Sequence, residues 1–174
     1  HALLAVGQGS IHPPCLVTIK YNGAGAAPYT AYVGKGITFD SGGISIKPSD
    51  NMGEMKDDMA GAGAVLGALR AIAALKIPCN VMGIIACAEN MPSGSAQRPG
   101  DVVKAANGKT IEVISTDAEG RMVLADSVWY ACKQGADKVV DIATLTGGVI
   151  VALGTETAGV VGNDDVLIRQ IIEA

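Results

Sequence analysis

The sequence predicts an α/β protein, namely a three-layer α/β/α sandwich around a mixed, largely parallel central sheet. Segments with the pattern of strands alternate with helical segments, and two strand segments are uniformly apolar, which is typical of strands covered on both faces. The 174 residues are 49% apolar but only 3% aromatic, so the core must consist of Ala, Val, Ile, Leu and Met. That length and composition suit one compact domain with a sizeable core.

The first elements are predicted to be a short helix and a β-hairpin. Residues 1–14 begin as the end of an apolar helix. Residues 16–21 alternate and are β-branched, which favours a strand, and a turn over 22–25 leads into a second strand over 29–38. These two strands are expected to pair with each other.

A long loop and a buried helix follow. Two adjacent glycines and Pro48 favour a loop over residues 41–54, and loops of that length inside compact domains are usually functional. Residues 55–75 are apolar nearly all round, which predicts a buried helix. Its interior glycines each cost about 1 kcal/mol relative to alanine, so we expect another backbone to pack closely there. Residues 81–88 are the first of the uniformly apolar strands.

The second half of the chain continues the alternation of strands and helices. Asn107-Gly108 is a turn signal, and Gly135 is a helix stop. The predicted elements are a loop over 91–100, a short helix from Asp101 to Ala106, a strand over 110–116, a helix over 119–134, an apolar strand over 138–145, a hinge at Gly147-Gly148, a short strand over 158–162 and a helix from Asp164 onward.

Charge and cysteine content argue against several classes of protein. The formal net charge is −4 with no basic run, so nothing favours a nucleic-acid partner. No apolar run reaches the ~18 residues of a membrane span, and the amino end lacks the basic start of a signal peptide. The cysteines form no CxxC pair and lie in apolar runs, which predicts buried hydrophobes in a reducing compartment: Cys15, Cys79, Cys87 and Cys132. A cytoplasmic protein without a membrane partner is expected.

Charged side chains concentrate in the loops after strands, where α/β proteins place their sites. Asp117 and Glu119 are two residues apart, so they share a face in extended chain but point about 200° apart on a helix. Lys35 lies between two glycines in an apolar strand, and a kink at those glycines is needed to bring it close to Asp40. The candidates are Lys35, Asp40, Lys47, Asp57, Asp58, Asp117, Glu119 and Arg121.

These residue types suit a carboxylate metal site. Hard divalent cations take carboxylate oxygens as ligands, and two such ions ~3.5–4 Å apart form a clamp used in hydrolysis. The histidines, His1 and His12, offer no zinc spacing, so the ligands would be oxygens, with an uncharged lysine nitrogen as the one further donor. Spacing alone leaves such a site and a set of solvated loop charges as equal alternatives.

Three segments resemble motifs of one enzyme family. Residues 115–124 (STDAEGRMVL) resemble the NTDAEGRLxL signature of the leucyl aminopeptidases, the M17 cytosol aminopeptidases, with Ser115 where the family usually has Asn. Residues 33–48 and 55–62 resemble two further family motifs in the same order and spacing. The resemblance runs from about Leu3 to the end of the chain.

The resemblance implies two divalent metal ions, Zn²⁺ or Mn²⁺, with shared ligands. The matching residues are Lys35, Asp40, Asp58 and Glu119 for the tighter ion, and Asp40, Asp117 and Glu119 for the exchangeable ion. It also implies that Lys47 polarises the scissile carbonyl and that Arg121 holds a bicarbonate ion as the general base, with a simple salt bridge as the alternative for Arg121. Met55, Thr144 and Gly147 match part of the substrate pocket, and Leu145 matches a backbone contact to the substrate.

The function implied by the resemblance is release of N-terminal residues, preferably leucine-like, from peptides. Family members are longer, so residues 1–174 are expected to be the first part of the catalytic domain, without the separate N-terminal domain and the remaining C-terminal segment. Members assemble as hexamers, so a homo-oligomer is expected. One alternative is a truncated, inactive piece that binds metal or self-associates. Another is a carboxylate-metal hydrolase such as a phosphoesterase, against which no P-loop is present.

Overall fold

The computed structural model describes the whole chain, residues 1–174, and the chain divides into two compact units, His1–Thr144 and Leu145–Ala174. The strands are β1 (Cys15–Asn22), β2 (Tyr29–Asp40), β3 (Asn80–Asn90), β4 (Val102–Lys104), β5 (Thr110–Glu112) and β6 (Ala136–Ile142). The helices are α1 (Ala2–Gly7), a 3₁₀ helix (Met52–Asp57), α2 (Ala60–Ala74), α3 (Glu119–Lys133), α4 (Gly147–Leu153) and α5 (Asp165–Glu173).

The first unit is built on a four-stranded sheet in the order β1-β3-β2-β6. β1 is antiparallel to β3, whereas β2 is parallel to both β3 and β6. The hairpin predicted between the first two strands is therefore wrong, because β3 lies between them. The buried amide of Asn80 supports the crossing connection, since it hydrogen-bonds three backbone groups of the loop at residues 24–27.

Helices cover both faces of this sheet, which confirms the predicted three-layer sandwich. On one face, Val65 and Leu69 of α2 pack against Val81 and Ile85 of β3. On the other face, α1 and α3 pack against the alternate side chains of β2 and β3, and the buried residues there include Ala2, Val6, Ile37, Ala86, Ala88, Met122 and Val123. Small, branched and unbranched apolar side chains thus form the buried contacts on both faces of the sheet.

Helix α2 is shorter than the helix predicted over 55–75. It begins at Ala60, because the residues before it form the separate 3₁₀ helix. Close backbone packing is present at one of its glycines, since a Cβ on Gly61 would lie 2.0 Å from the carbonyl oxygen of Ile142 in β6. The other glycines inside the helix have room for a Cβ, so close packing explains Gly61 alone.

A two-stranded antiparallel sheet, β4 with β5, replaces the helix predicted over 101–106. Asp101 caps no helix there, because its carboxylate binds the guanidinium of Arg98 at 2.9 Å. Gly108, with a φ of 86°, turns the chain back in the manner expected of an Asn-Gly pair. The next predicted strand ends at Glu112, so the acidic segment that follows lies in a loop.

The two strands predicted to be uniformly buried differ in the structure. β3 is buried along nearly its whole length, as predicted. β6 ends at Ile142, short of the predicted range 138–145, and most of its side chains are exposed because it forms an edge of the sheet. The expectation of cover on both faces is therefore wrong for β6.

The second unit contains two short helices, α4 and α5. The side chains of Thr146 and Asp164 cap them by accepting hydrogen bonds from backbone N–H groups. The helix predicted from Asp164 is confirmed. The hinge predicted at Gly147-Gly148 is instead the first turn of α4, because the Thr146 cap favours a helix there, and the strand predicted over 158–162 is irregular chain. None of the helices in the chain is long and apolar enough to cross a bilayer.

Candidate metal centre

Two lysines and four carboxylates of the first unit meet at the carboxyl end of β2, the edge at which parallel sheets bind ligands. They are Lys35 and Asp40 of β2, Lys47 of the loop after it, Asp58 between the 3₁₀ helix and α2, Asp117 before α3, and Glu119 at the first residue of α3. Four of the six side chains are buried, the exceptions being Lys47 and Asp117. The structure thus brings together residues that are up to 84 positions apart in the printed sequence.

A bulge in β2 puts Lys35 and Asp40 on the same side of the sheet. The pairing of β2 with β3 skips Thr38. As a result, Lys35 pairs with Ala86 and Asp40 pairs with Asn90. These two β3 residues are separated by an even number of positions, so they face the same side of the sheet. Without the bulge, residues five apart would face opposite sides. The expected kink is therefore present, but at Thr38 and not at the glycines beside Lys35.

The inner half of the site consists of Lys35, Asp58 and Glu119. Lys35 Nζ lies 2.8 Å from Asp58 Oδ2 and 2.8 Å from Glu119 Oε1, and its side chain is 3% exposed. Lys35 also donates to the backbone carbonyl of Thr144 at 2.7 Å, and the Thr144 hydroxyl donates to Asp58 Oδ1 at 2.7 Å. The buried ammonium group therefore has the partners that its apolar strand requires.

The outer half of the site consists of Lys47, Asp40 and Asp117. Lys47 Nζ lies 2.9 Å from Asp40 Oδ2 and 2.5 Å from Asp117 Oδ1, and its side chain is 22% exposed. Burial alone would lower the pKa of Lys47, but its hydrogen bonds to Asp117 and Asp40 outweigh burial and raise the pKa. Lys47 is therefore protonated at neutral pH.

The carboxylates between the two halves could hold a cation. Oxygen atoms of Asp40, Asp117 and Glu119 all lie within 4.8 Å of one another. Burial raises the pKa of Glu119 from 4.5 to about 7, against the opposing charge of Lys35. Burial also raises the pKa of Asp58. Four carboxylates face two ammonium groups, so the site has an excess of negative charge that a cation would neutralise.

Asn90 is a site residue that the sequence motifs did not indicate. Its buried amide nitrogen donates to Asp40 Oδ1 at 2.8 Å and to the carbonyl of Thr116 at 3.0 Å. One side chain thus ties the end of β2 to the loop that carries Asp117. A signal was present in the sequence, because an amide at the end of an apolar strand needs a specific partner when it is buried.

Thr116 ties the same loop to the loop after β2. Its hydroxyl donates to the carbonyl of Gly42 at 2.6 Å and accepts from the backbone N–H of Ser45 at 2.8 Å. Gly42 and Gly43 have φ angles of 87° and 67°, and a Cβ on Gly43 would lie 2.8 Å from Asn90 Oδ1. Both the backbone conformation and the close approach therefore require these adjacent glycines.

Arg121 does not contact the carboxylates of the site. It is exposed and forms none of the ion pairs of the chain. Its side chain borders a groove of about 380 Å³, the other walls of which are mostly apolar and include Ile111, Val113, Ile114 and Met122. Arg121 is therefore not held by an ion pair to any carboxylate of the site, and its predicted binding of bicarbonate stays a prediction.

The residues predicted to contact the substrate come from both units of the chain, and each unit is described separately. Thr144 bonds to Lys35 and Asp58 of the inner half of the site. Met55 is half-buried within the 3₁₀ helix. Leu145 and Gly147 belong to the second unit, and both are exposed.

The whole chain matches a single family of enzymes. The family model described as the cytosol aminopeptidase family, catalytic domain, matches residues 1–174. The chain belongs to the cytosol aminopeptidase family. Over 175 aligned residues it is 57% identical to a probable cytosol aminopeptidase of Azotobacter vinelandii and 54% identical to the cytosol aminopeptidase of Pseudomonas aeruginosa. Each alignment covers 99% of this chain and 35% of the relative, so the chain spans about a third of the length of these relatives.

A solved structure supports the same fold. The chain is similar to the bottromycin maturation enzyme BotP, with a TM-score of 0.81 and 49% sequence identity. That similarity covers 88% of this chain and 32% of the BotP chain. The three-layer sandwich is thus consistent with the catalytic domain of a cytosol aminopeptidase.

Ser115 is one position at which the chain departs from the signature of the cytosol aminopeptidase family. Its hydroxyl accepts a hydrogen bond from the backbone N–H of Asp117 at 3.3 Å. An Asn side chain makes the same kind of bond to a backbone group two residues on. Ser115 therefore stabilises the loop conformation by this hydrogen bond, and replacing Asn by Ser at this position does not alter the carboxylates of the site.

Proposed function

We propose that this chain is part of a metal-dependent aminopeptidase that releases N-terminal residues, preferably leucine-like, from peptides. The observation that carries the proposal is the group formed by buried Asp40 and Glu119 and exposed Asp117, with oxygen atoms within 4.8 Å of one another, in a chain of the cytosol aminopeptidase family. Residues 1–174 would be the first part of the catalytic domain of the longer protein.

The residues of the site fit divalent cations by charge and by donor type. The carboxylates outnumber the lysines by two, and most of them are buried. Asp58 Oδ2 is buried and has no aligned hydrogen bond, although it lies 2.8 Å from Lys35 Nζ. A buried anionic oxygen of this kind is costly unless a positive partner completes its surroundings. Carboxylate oxygens are ligands that both Mn²⁺ and Zn²⁺ accept.

We assign two ions, Mn²⁺ or Zn²⁺, to overlapping sets of ligands. Asp40, Asp58, Glu119 and Lys35, the last as an uncharged amine that has lost its proton, would hold the tighter ion, and Asp40, Asp117 and Glu119 the exchangeable one. The chemistry supplied by the bound ions is a water of lowered pKa and a Lewis acid for the amino end of the substrate.

Lys47 is proposed to stabilise the oxyanion that develops on the scissile carbonyl. Its two carboxylate partners fix the ammonium group, and its partial exposure leaves it within reach of a substrate. Because its pKa is raised, Lys47 is a hydrogen-bond donor and a poor general base. A fixed donor aimed at a developing negative charge stabilises the transition state.

Arg121 is proposed to bind bicarbonate, the proton acceptor that the family resemblance implies. Its guanidinium is exposed and has no carboxylate partner, which leaves its N–H donors available to an anion. The alternative, a simple salt bridge, has no partner in this structure.

The remaining parts of the proposal concern substrate, assembly and location. Met55, Thr144, Leu145 and Gly147 are proposed to contact the first residue of the peptide. A homo-oligomer, a hexamer as the family resemblance implies, is also proposed. A cytoplasmic location is proposed from the resemblance and from the name of the relatives, cytosol aminopeptidase.

Hydrolysis of leucyl-p-nitroanilide tests this proposal in the chain alone and in a longer protein of the length of its relatives. We expect the longer protein to cleave the substrate with Mn²⁺ or Zn²⁺, to lose activity with a chelator and to regain it with added metal. N-acetyl-leucyl-p-nitroanilide is the matched control, because its blocked amino group should prevent cleavage. Failure of the longer protein with both metals would refute the proposal. Activity in the longer protein alone would make the 174-residue chain an inactive piece of that protein.

A further inference from the structure

Two cysteines face each other across the pairing of β1 with β3. Cys15, the first residue of β1, is the direct Cα partner of Cys87 in β3. The other two cysteines have no cysteine opposite them, because Cys79 lies just before β3 and Cys132 lies in α3. All four thiols are free in the structure.

The spacing of this pair is close to that of a disulfide. Direct partners in antiparallel strands have Cβ atoms about 4.5–5.5 Å apart, and a disulfide needs about 3.5–4.5 Å. β1 is an edge strand, and Cys15 lies at its end. The end of an edge strand can shift by the small remaining distance without disturbing the centre of the sheet.

The two thiols differ in their surroundings. Cys15 is exposed, so a small oxidant can reach it, whereas Cys87 is half-buried. Cys87 Sγ occupies space left by Gly36, since a Cβ on that glycine would lie 3.3 Å from the sulfur. Burial, followed by contact with Cys15, raises the pKa of the Cys87 thiol. Cys15 is therefore the thiol that meets an oxidant first, and Cys87 is the thiol placed to resolve the product.

We propose that Cys15 and Cys87 are a modification site at which a small disulfide, such as oxidised glutathione, introduces a reversible cross-strand disulfide. The Cys15 thiolate attacks one sulfur of oxidised glutathione and breaks its S–S bond, and the released glutathione thiolate takes up the proton that Cys15 lost. The sulfur of Cys87 then attacks the Cys15 sulfur, and the second glutathione leaves with the proton of Cys87. Two protein thiols are oxidised while one glutathione disulfide is reduced to two thiols.

The cross-link would join the edge strand to the strand that carries Asn90. It would close the long loop from residue 15 to residue 87, and closing a long loop restricts the unfolded chain strongly. The expected consequence is a more stable first unit with β1 held to the sheet.

Oxidation of the full chain with oxidised glutathione, followed by mass spectrometry of the intact and digested protein, tests the proposal. We expect the mass of the segments that contain Cys15 and Cys87 to fall by two hydrogen atoms. In the digest, one disulfide should join the peptide of Cys15 to the peptide of Cys87. The unfolding temperature should rise by about 5 °C or more and return on reduction with dithiothreitol. Cys132 is an internal control, because it is exposed but unopposed and should retain glutathione as a mixed disulfide.

The variants Cys87→Ser and Cys15→Ser separate the two steps. Cys87→Ser should stop with one glutathione held on Cys15, and Cys15→Ser should leave Cys87 largely unmodified because it is half-buried. Stable retention of glutathione on Cys15 in the unaltered chain would overturn the proposal. Cross-linking of Cys15 to Cys79 or Cys132 in place of Cys87 would overturn it as well.

Discussion

The two halves of the candidate metal centre use the same residue types in different surroundings. In the inner half, Lys35 is 3% exposed and contacts two carboxylates that are themselves nearly inaccessible, Asp58 and Glu119. In the outer half, Lys47 is 22% exposed, and one of its partners, Asp117, is 39% exposed. Each half has one ammonium group between two carboxylates, so burial is the main difference between them.

This difference separates the two tasks that the proposed function requires. Charges taken out of water are held by their partners alone, so removing one partner in the inner half leaves an uncompensated buried charge. Charges at the solvent edge interact more weakly and remain reachable. The inner half is therefore suited to hold an ion tightly, and the outer half to exchange an ion and to meet a substrate.

The largest expected effect is on the stability of the metal-free chain. Lys35→Met should lower the free energy of unfolding by about 3 to 5 kcal/mol, because Asp58 and Glu119 lose their buried counter-charge. Lys47→Met is the matched control and should cost about 1 kcal/mol, since Lys47 and Asp117 are partly exposed and Asp40 keeps its hydrogen bonds from Asn90 and from the backbone of Gly42. Urea unfolding with a chelator present measures both. Equal losses would remove the distinction between the halves.

Asn90 is expected to increase the affinity of the chain for metal, because it positions residues of the site by hydrogen bonds. Asn90→Ala is expected to weaken Mn²⁺ binding about 10- to 100-fold, because Asp40 and the loop before Asp117 lose their shared hydrogen-bond donor. Asn80→Ala is the control, since Asn80 is a buried asparagine at the opposite end of the same strand. Calorimetric titration should show weakened binding in the Asn90 variant alone, and equal affinity in the two variants would reduce Asn90 to a structural role.

Glu119 should make the stability of the metal-free chain depend on pH. Its pKa rises from 4.5 to about 7 on folding, so between these values the folded chain holds a proton that the unfolded chain has released. The free energy of unfolding contributed by this group therefore falls as pH rises through that window, by at most about 1.4 kcal/mol per pH unit. Glu119→Gln should remove this slope in urea unfolding curves. An unchanged slope would mean that Glu119 is ionised throughout the window.

The smallest effect is expected at Ser115, where the family signature usually has Asn. Ser115→Asn should change the free energy of unfolding by less than about 0.5 kcal/mol, because either side chain can accept the hydrogen bond from Asp117 N–H. Thermal unfolding measures the change. A loss well above that value would show that the serine hydroxyl has a contact in the loop that an amide cannot replace.

The sequence predicted the layers of the sandwich, and the charged side chains that meet at one end of the sheet, better than it predicted strand pairing. The apolar pattern of a strand indicates which of its faces is buried, but it does not indicate which other strand pairs with it. The position of β3 between β1 and β2 was therefore not predictable from the alternation of apolar residues. The bulge at Thr38 was also hidden, because no residue there demands it. Asn90 was overlooked since its partners, Asp40 and Thr116, are distant in sequence.

The number of metal ions bound per chain tests the central claim most directly. The unaltered chain, loaded with Mn²⁺ and freed of excess, should hold two ions by elemental analysis, and Asp117→Asn should lose the exchangeable one while keeping the tighter one. Asp117 is the most suitable position because it is the most exposed of the carboxylates in the cluster and is predicted to serve one ion only. A chain that retains no Mn²⁺, or a variant that retains as much as the unaltered chain, would contradict the account.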